Sequence, residues 1–359
     1  MANANQRQPV SRRRVLQSGA VISGMAVTGC LGGGGGENTL TYISRGGVTQ
    51  EAERQVMDQW AEENGKQITH QSAADDTEIM ELISNNPGAF DFTNLVPSAF
   101  AQHSLVYDEE LFTELDYGEV PNYDNIKESW KNAPFLEGHD YGLFYYNNSQ
   151  GIAYNTDHVE PTSWEDLQGS EYNDVLSMHN NATTRFCNNC AMMGISPSEA
   201  LSDDETFQSV WDEQRNFHDN IFKYWTAGDE FPRLLREEQA HAVEGWGGRT
   251  ENLVDDGLPM DYVIPEEGCL TYSTGWTMID ESENKDDVYD LFNYMYEREN
   301  AVELTLGHGY PVQLKDPPEE ITNRYDYTES ADDVIWLDWE SIIPAMPDLE
   351  QAFAELKGE

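Results

Sequence analysis

The chain has 359 residues, with 67 Asp and Glu against 20 Lys and Arg, a formal net charge of −47 at neutral pH. Nucleic acid is excluded as a partner, because a phosphate backbone is bound by counterion release onto a basic face that this chain lacks. Disorder is excluded too: 38% hydrophobic and 11% aromatic residues supply enough apolar surface for a sizeable core, and the length allows one large or two medium domains.

Taken from the N-terminus, residues 1–29 hold four Arg and no acid. Ser11-Arg12-Arg13-Arg14-Val15-Leu16-Gln17 resembles a twin-arginine export signal, with Arg12 and Arg13 as its pair, and the run Val15 to Gly29 follows without a charge. About 15 residues is short for a membrane span. The run ends in Val27-Thr28-Gly29-Cys30, which resembles a lipobox, so Cys30 is the expected lipidation site. Gly32 to Gly36 then read as a flexible tether rather than a phosphate loop, since no strand precedes them and no Lys follows. The expected address is the outer face of the cell membrane, reached by Tat export and held there by lipid.

The rest of the chain is more acidic still. Seven Lys in all, and acids spread evenly instead of in one tail, predict a surface adapted to high salt, as in a haloarchaeal source. At about 1 M salt the Debye length is only about 3 Å and the self-repulsion is largely screened.

Leu40–Ile43 reads as a strand and Thr49–Asn64 as a helix with Ala52, Val56, Met57 and Trp60 on one face, closed by Gly65. A second helix is expected at Asp76–Ser84 and a strand over Phe90–Val96, broken by Pro97. Strand, helix and strand in this order predict a parallel βαβ unit. Strands follow at Leu143–Tyr145 and Gly151–Tyr154, helices at Thr184–Met193, Asp204–Phe217 and Glu230–Glu238, a strand at Ala240–Val243 and one long helix over Asn284–Thr305. No fixed repeat is present, and the class is α/β.

Cys187, Cys190 and Cys269 remain once Cys30 is assigned to lipid, an odd number that allows one disulfide and a spare thiol. Cys187-Asn188-Asn189-Cys190 lacks a second pair at metal spacing, so zinc is disfavoured. A nucleophile elbow, HExxH, a phosphate loop with Lys and a dinucleotide fingerprint are all missing; no catalytic residue, cofactor or metal is expected, and the chain reads as not an enzyme. His179, beside Asn180-Asn181, and His308, between Gly307 and Gly309, are the two histidines singled out among eight. Sequons stand at Asn147-Asn148-Ser149 and Asn181-Ala182-Thr183.

Val96-Pro97-Ser98 after a strand, Gly151-Ile152-Ala153-Tyr154-Asn155-Thr156-Asp157 followed by Pro161-Thr162-Ser163-Trp164-Glu165-Asp166-Leu167, and Ile264-Pro265-Glu266-Glu267-Gly268 resemble the spermidine/putrescine-binding protein family of ABC importers, from about residue 40 to 315. The resemblance implies a two-lobed, periplasmic-binding-protein-like α/β fold, each lobe a sheet flanked by helices. The lobes would be 39–145 with 275–315, and 146–274 with 316–359, after a signal at 1–29 and a lipidated tether at 30–38. It implies a monomeric receptor that closes on a small-molecule ligand and presents it to ABC permease subunits in the membrane.

By the same resemblance the ligand-binding residues are Ser98, Phe100, Asn181, Thr184, Trp246, Tyr272 and Thr274. Family members hold ammonium ends with acids, by charged hydrogen bonds and cation–π contact. Here the acid positions fall on Asn181, Thr184 and Thr274, none of which ionises. Asp75, Asp76, Glu244 and Asp338 are the acids expected to compensate, while Arg185 and Arg249 near cleft segments suit an anionic ligand. The alternatives to a polyamine cargo are thiamine-like, phosphonate or ferric ligands on the same fold, or a surface lipoprotein hydrolase.

Overall fold

A computed structural model describes residues 38–96, 99, 111–131, 141–218, 220–325 and 334–358. The export signal, Cys30, the tether, Ser98 and Phe100 lie outside the described residues. The described residues fall in one compact unit.

The first half of the fold starts with β1 (Thr39–Arg45), α1 (Val48–Asn64) and β2 (Gln67–Ala73), followed by α2 (Asp76–Asn85) and β3 (Phe92–Leu95). β1 pairs in parallel with both β2 and β3. α1 buries the expected Ala52, Val56, Met57 and Trp60, and Gly65 ends it at φ 64°, a left-handed conformation that costs a glycine little. β2 was not expected: it is a polar edge strand, Gln-Ile-Thr-His-Gln-Ser-Ala, with mostly exposed side chains and no strong alternation to betray it.

β4 (Leu143–Asn155) is one strand of 13 residues where the sequence suggests two. Its polar centre, Asn147-Asn148-Ser149-Gln150, looks like a loop but is largely buried, with Asn147, Ser149 and Gln150 meeting polar partners inside the fold. Asn147 Oδ1 accepts from Gln313 Nε2 at 2.7 Å and Ser149 Oγ accepts from the Tyr262 hydroxyl at 2.9 Å. The sequon at Asn147 is therefore closed to glycan, as Asn147 is only 1% exposed.

The second half contains β5 (Leu176–His179), α3 (Ala182–Met192), α4 (Asp204–Arg215), β6 (Ile221–Trp225), α5 (Glu230–Arg236), β7 (Ala242–Trp246), α6 (Gly247–Asp255) and β8 (Met260–Val263). β9 (Cys269–Met278) then returns to the first half, where α7 (Lys285–Met295) and α8 (Arg298–His308) pack on α1. The single helix expected over Asn284–Thr305 is two: the chain turns at Tyr296, whose hydroxyl reaches back to the Phe144 carbonyl at 2.5 Å. The C-terminal α9 (Trp339–Lys357) packs on α3 and α4.

The strand order is β2-β1-β3-β9-β4-β7-β5-β6, with β8 beside β4. β4 and β9 join the two halves. Leu143–Ser149 pairs with Thr271–Trp276, then Gln150–Tyr154 leaves β9 and pairs with Trp246–Ala242 of β7. At its other end β9 pairs with β3, Leu95 opposite Gly275. Separate apolar clusters fill the two halves, one around Tyr42, Trp60, Phe92, Trp276 and Phe292, and others around Phe186, Trp211 and Phe353 and around Trp225, Phe231 and Leu235. The result is a two-lobed periplasmic-binding-protein-like α/β fold.

Candidate ligand cleft

β5, β6 and β7 are parallel neighbours that end side by side at His179, Trp225 and Trp246. Ligands of open α/β sheets gather at such carboxyl ends. The His179 ring stacks on Trp225 with centroids 4.0 Å apart, and Trp225 meets Trp246 edge to face at 5.3 Å. Trp246 Nε1 donates to Gln150 Oε1 at 3.2 Å, while Gln150 Nε2 lies 2.9 Å from His179 Nδ1. Gln150 is the residue at which β4 passes from β9 to β7, so the crossing itself orients the rings.

Asn181 caps α3: its Oδ1 accepts from Thr184 N at 2.9 Å and from Thr184 Oγ1 at 3.1 Å. Thr184 Oγ1 in turn lies 2.7 Å from the Tyr272 hydroxyl. Tyr272 and Thr274 occupy one face of β9 by the two-residue period of a strand. Opposite Thr274 stands Tyr146, which stacks on Tyr310 at 5.1 Å. The structure thus brings Asn181, Thr184 and Tyr272 into one hydrogen-bonded group, holds Trp246 in an adjacent one, and buries Thr274 against Tyr146.

Arg185 is not a cleft cation. It is 1% exposed on α3 and paired with Glu244, which is 0% exposed on β7. Asn188 Nδ2 donates to Glu244 Oε1 at 2.6 Å and His179 N donates to Oε2 at 2.8 Å. Burial pulls the Arg185 pKa down to about 10, which still leaves it charged against this carboxylate at neutral pH. Sequence periodicity does not reveal such a pair, since both residue types are ordinarily exposed.

Glu244 is therefore committed to structure, and the other candidate acids have duties as well. Asp75 caps α2, Asp76 Oδ2 receives Arg45 Nη1 at 2.8 Å, and Asp338 caps α9. An acid that sequence reading passed over is Glu53 of α1. It is fully buried, accepting from the Tyr42 hydroxyl and from Asn94 Nδ2, both at 2.6 Å, and burial pushes its pKa up to about 8.

His308 is buried at the end of α8, where its Nδ1 accepts from Tyr310 N at 3.1 Å and burial pushes its pKa down to about 3. His179 is likewise lowered to about 3, by burial and then by the Arg185 charge. Cys187, Cys190 and Cys269 are all buried and free, so the expected option of a disulfide is not taken. Burial raises all three thiols, Cys190 and Cys269 to about 12. Among the described residues there is no cluster of three His, Cys, Asp or Glu suited to a metal, and no helix long and apolar enough to cross a membrane.

Residues 55–323 match the family described as bacterial extracellular solute-binding protein. The spermidine/putrescine-binding periplasmic protein 1 of Haemophilus influenzae is 23% identical over 310 residues, covering 84% of this chain and 85% of the relative. The spermidine/putrescine-binding periplasmic protein of Escherichia coli is 22% identical over 356 residues, 96% of this chain and 98% of the relative. Among solved structures, the spermidine/putrescine substrate-binding protein PotD of Streptococcus pneumoniae superposes with a TM-score of 0.77 at 20% identity, over 89% of this chain and all of that one.

Proposed function

The chain belongs to the bacterial extracellular solute-binding proteins, and from that premise we propose that it is a lipid-anchored receptor that captures a small polyamine-like solute by hinge closure. Binding a solute for an ABC importer, without catalysis, is the work of the family, and this chain is a binding protein rather than an enzyme. The observation that carries the closure is the passage of β4 and β9 from one set of strands to the other, with His179, Trp246 and Tyr272 beside the crossing. Residues 39–145 with 275–315 would move against 146–274 with 316–359.

The polyamine-like size and chain shape of the solute are taken from the names of the curated relatives, and Trp246, Tyr272 and Phe100 are the aromatic residues that the sequence resemblance assigns to its cage. Ser98, Asn181, Thr184 and Thr274 complete the proposed site. Arg12 and Arg13 would direct export, Cys30 would carry the lipid, and a tethered receptor gains effective concentration at the permease. An acidic surface that works in high salt, on a monomer, completes the proposal.

The test is thermal unfolding in about 2–3 M salt and again at low salt, against polyamines, their carboxylated analogues, thiamine, phosphonates and ferric ion. A saturating ligand at about 100 times Kd adds about 2.7 kcal/mol of stability. The proposal expects such a rise with one small solute, lost in Trp246→Ala, with the solute recovered unchanged; turnover of the solute would contradict it.

A further inference from the structure

We propose that the edge of the cleft formed by His179, Asn181 and Arg249 is a donor edge that binds a carboxylate on the solute, so that the cargo is an amino carboxylate or related anion-bearing chain rather than a simple diamine. This deepens the receptor reading above and rests on it.

The inference comes from hydrogen-bond direction. Thr184 has one hydroxyl proton, and it goes to Asn181 Oδ1 at 3.1 Å; the 2.7 Å contact with Tyr272 is then made by the Tyr272 proton. Asn181 Oδ1 also receives the Thr184 backbone N–H at 2.9 Å, as capping of α3 requires, and this fixes which way the carboxamide faces. Both Nδ2 protons of Asn181 are left pointing away from the cap, bonded to no described residue. Where the resemblance places a carboxylate acceptor, this chain offers two donors.

His179 is set the same way. The indole N–H of Trp246 can only donate, so Gln150 must turn its Oε1 to Trp246 and its Nε2 to His179 Nδ1. The neutral imidazole then carries its proton on Nε2, a donor bonded to no described residue. Arg249 supplies the charge. Its guanidinium lies 5.2 Å from the Trp246 ring centroid, against the loop at Gly228, and makes no ion pair with a described residue in a chain that has 67 carboxylates.

An ammonium placed here would meet donors and a like charge, and desolvating it without a partner carries a penalty of several kcal/mol. A carboxylate would meet charge-assisted bonds instead. The net charge of −47 opposes an anion only at long range, and salt shortens that range to a few ångströms.

The experiment compares three chains of four methylenes that differ only at their ends: 1,4-diaminobutane, 5-aminopentanoate and hexanedioate. Binding is measured by calorimetry, and closure by small-angle scattering, on the purified protein in about 2 M salt. The expected result is that 5-aminopentanoate or hexanedioate binds at least about tenfold tighter than the diamine, and that Arg249→Gln removes about that factor. Asn181→Asp keeps the cap of α3 but replaces two donors with an acceptor, so it should invert the preference, a result that misfolding cannot imitate. Tighter binding of the diamine by the wild type, with closure, would overturn the donor edge and leave the receptor reading intact. Failure of all three to bind or close the protein would overturn the donor edge, and equal failure of the wider solute panel would overturn the receptor reading as well.

Discussion

The carboxamide of Gln150 accepts the indole N–H of Trp246 at 3.2 Å, at the point where β4 changes partner from β9 to β7. The crossing strand thereby holds the aromatic wall of the proposed cleft. Gln150→Leu removes this bond and the one to His179 while retaining most of the side-chain volume. It should weaken solute binding about tenfold by releasing Trp246, and it should also lower the melting temperature, because two polar groups lose their partner. Calorimetric titration of the variant beside Trp246→Phe checks this; binding unchanged in Gln150→Leu would show that the indole is held by its ring contacts alone.

The Arg185–Glu244 pair is buried at 1% and 0% exposure, with Asn188 and His179 N–H filling the remaining oxygen sites of the carboxylate. Removing one partner strands the other charge in the interior, which typically costs about 3–5 kcal/mol. Arg185→Met is expected to fall in that range in denaturant unfolding, whereas loss of the exposed Arg215–Asp212 pair should cost less than about 1 kcal/mol.

Glu53 gives the stability of the protein a pH dependence of known sign. Its folded pKa, about 8, lies above the ordinary value of 4.5, with burial as the main cause and the bonds from Tyr42 and Asn94 opposing it. Between these two values the folded state holds the proton more tightly than the unfolded chain, so stability falls as pH rises through the window, by up to about 1.4 kcal/mol per pH unit. Unfolding measured from pH 5 to 8 should show this fall in the wild type and a flatter line in Glu53→Gln. Identical slopes would mean that the carboxyl ionises freely in the fold.

Gly248 in the first turn of α6 lies against the end of α8: a Cβ there would be 2.1 Å from the Gly309 carbonyl oxygen and 2.7 Å from the Tyr310 ring. The first of these is backbone and cannot turn aside. Gly248→Ala should cost about 1–3 kcal/mol, read by urea unfolding, and Gly194→Ala, with open space around its Cβ but φ 65°, serves as the comparison for backbone strain alone.

The thiols should be silent in the folded protein. Cys187, Cys190 and Cys269 are buried and their pKa values are raised, so a thiol reagent should label none of them natively and all three after unfolding. Rapid native labelling would contradict the packing around α3.

Elements with a strong apolar rhythm were legible in the sequence: α1 with its stripe and Gly65, α3, α4 and β3 lie within a few residues of their expected places. What periodicity missed were polar residues taken into the fold. The Asn147–Gln150 segment of β4 reads as a loop until Gln313, Tyr262, His179 and Trp246 are seen around it, and β2 is too polar to stand out. The grouping of the candidate site was partly legible, since Asn181, Thr184 and Tyr272 do meet and Trp246 lies in the neighbouring network. The fate of the charges was not, because whether Arg185 and Glu244 face a ligand or each other depends on how α3 crosses β7, which neither segment encodes alone.

The most direct measurement is small-angle scattering of the purified protein, free and saturated with the solute that raises its melting temperature most. Closure of the two lobes about β4 and β9 predicts a smaller radius of gyration in the complex, with one solute bound per chain and recovered chemically unchanged. An unchanged radius at full occupancy would contradict capture by hinge closure.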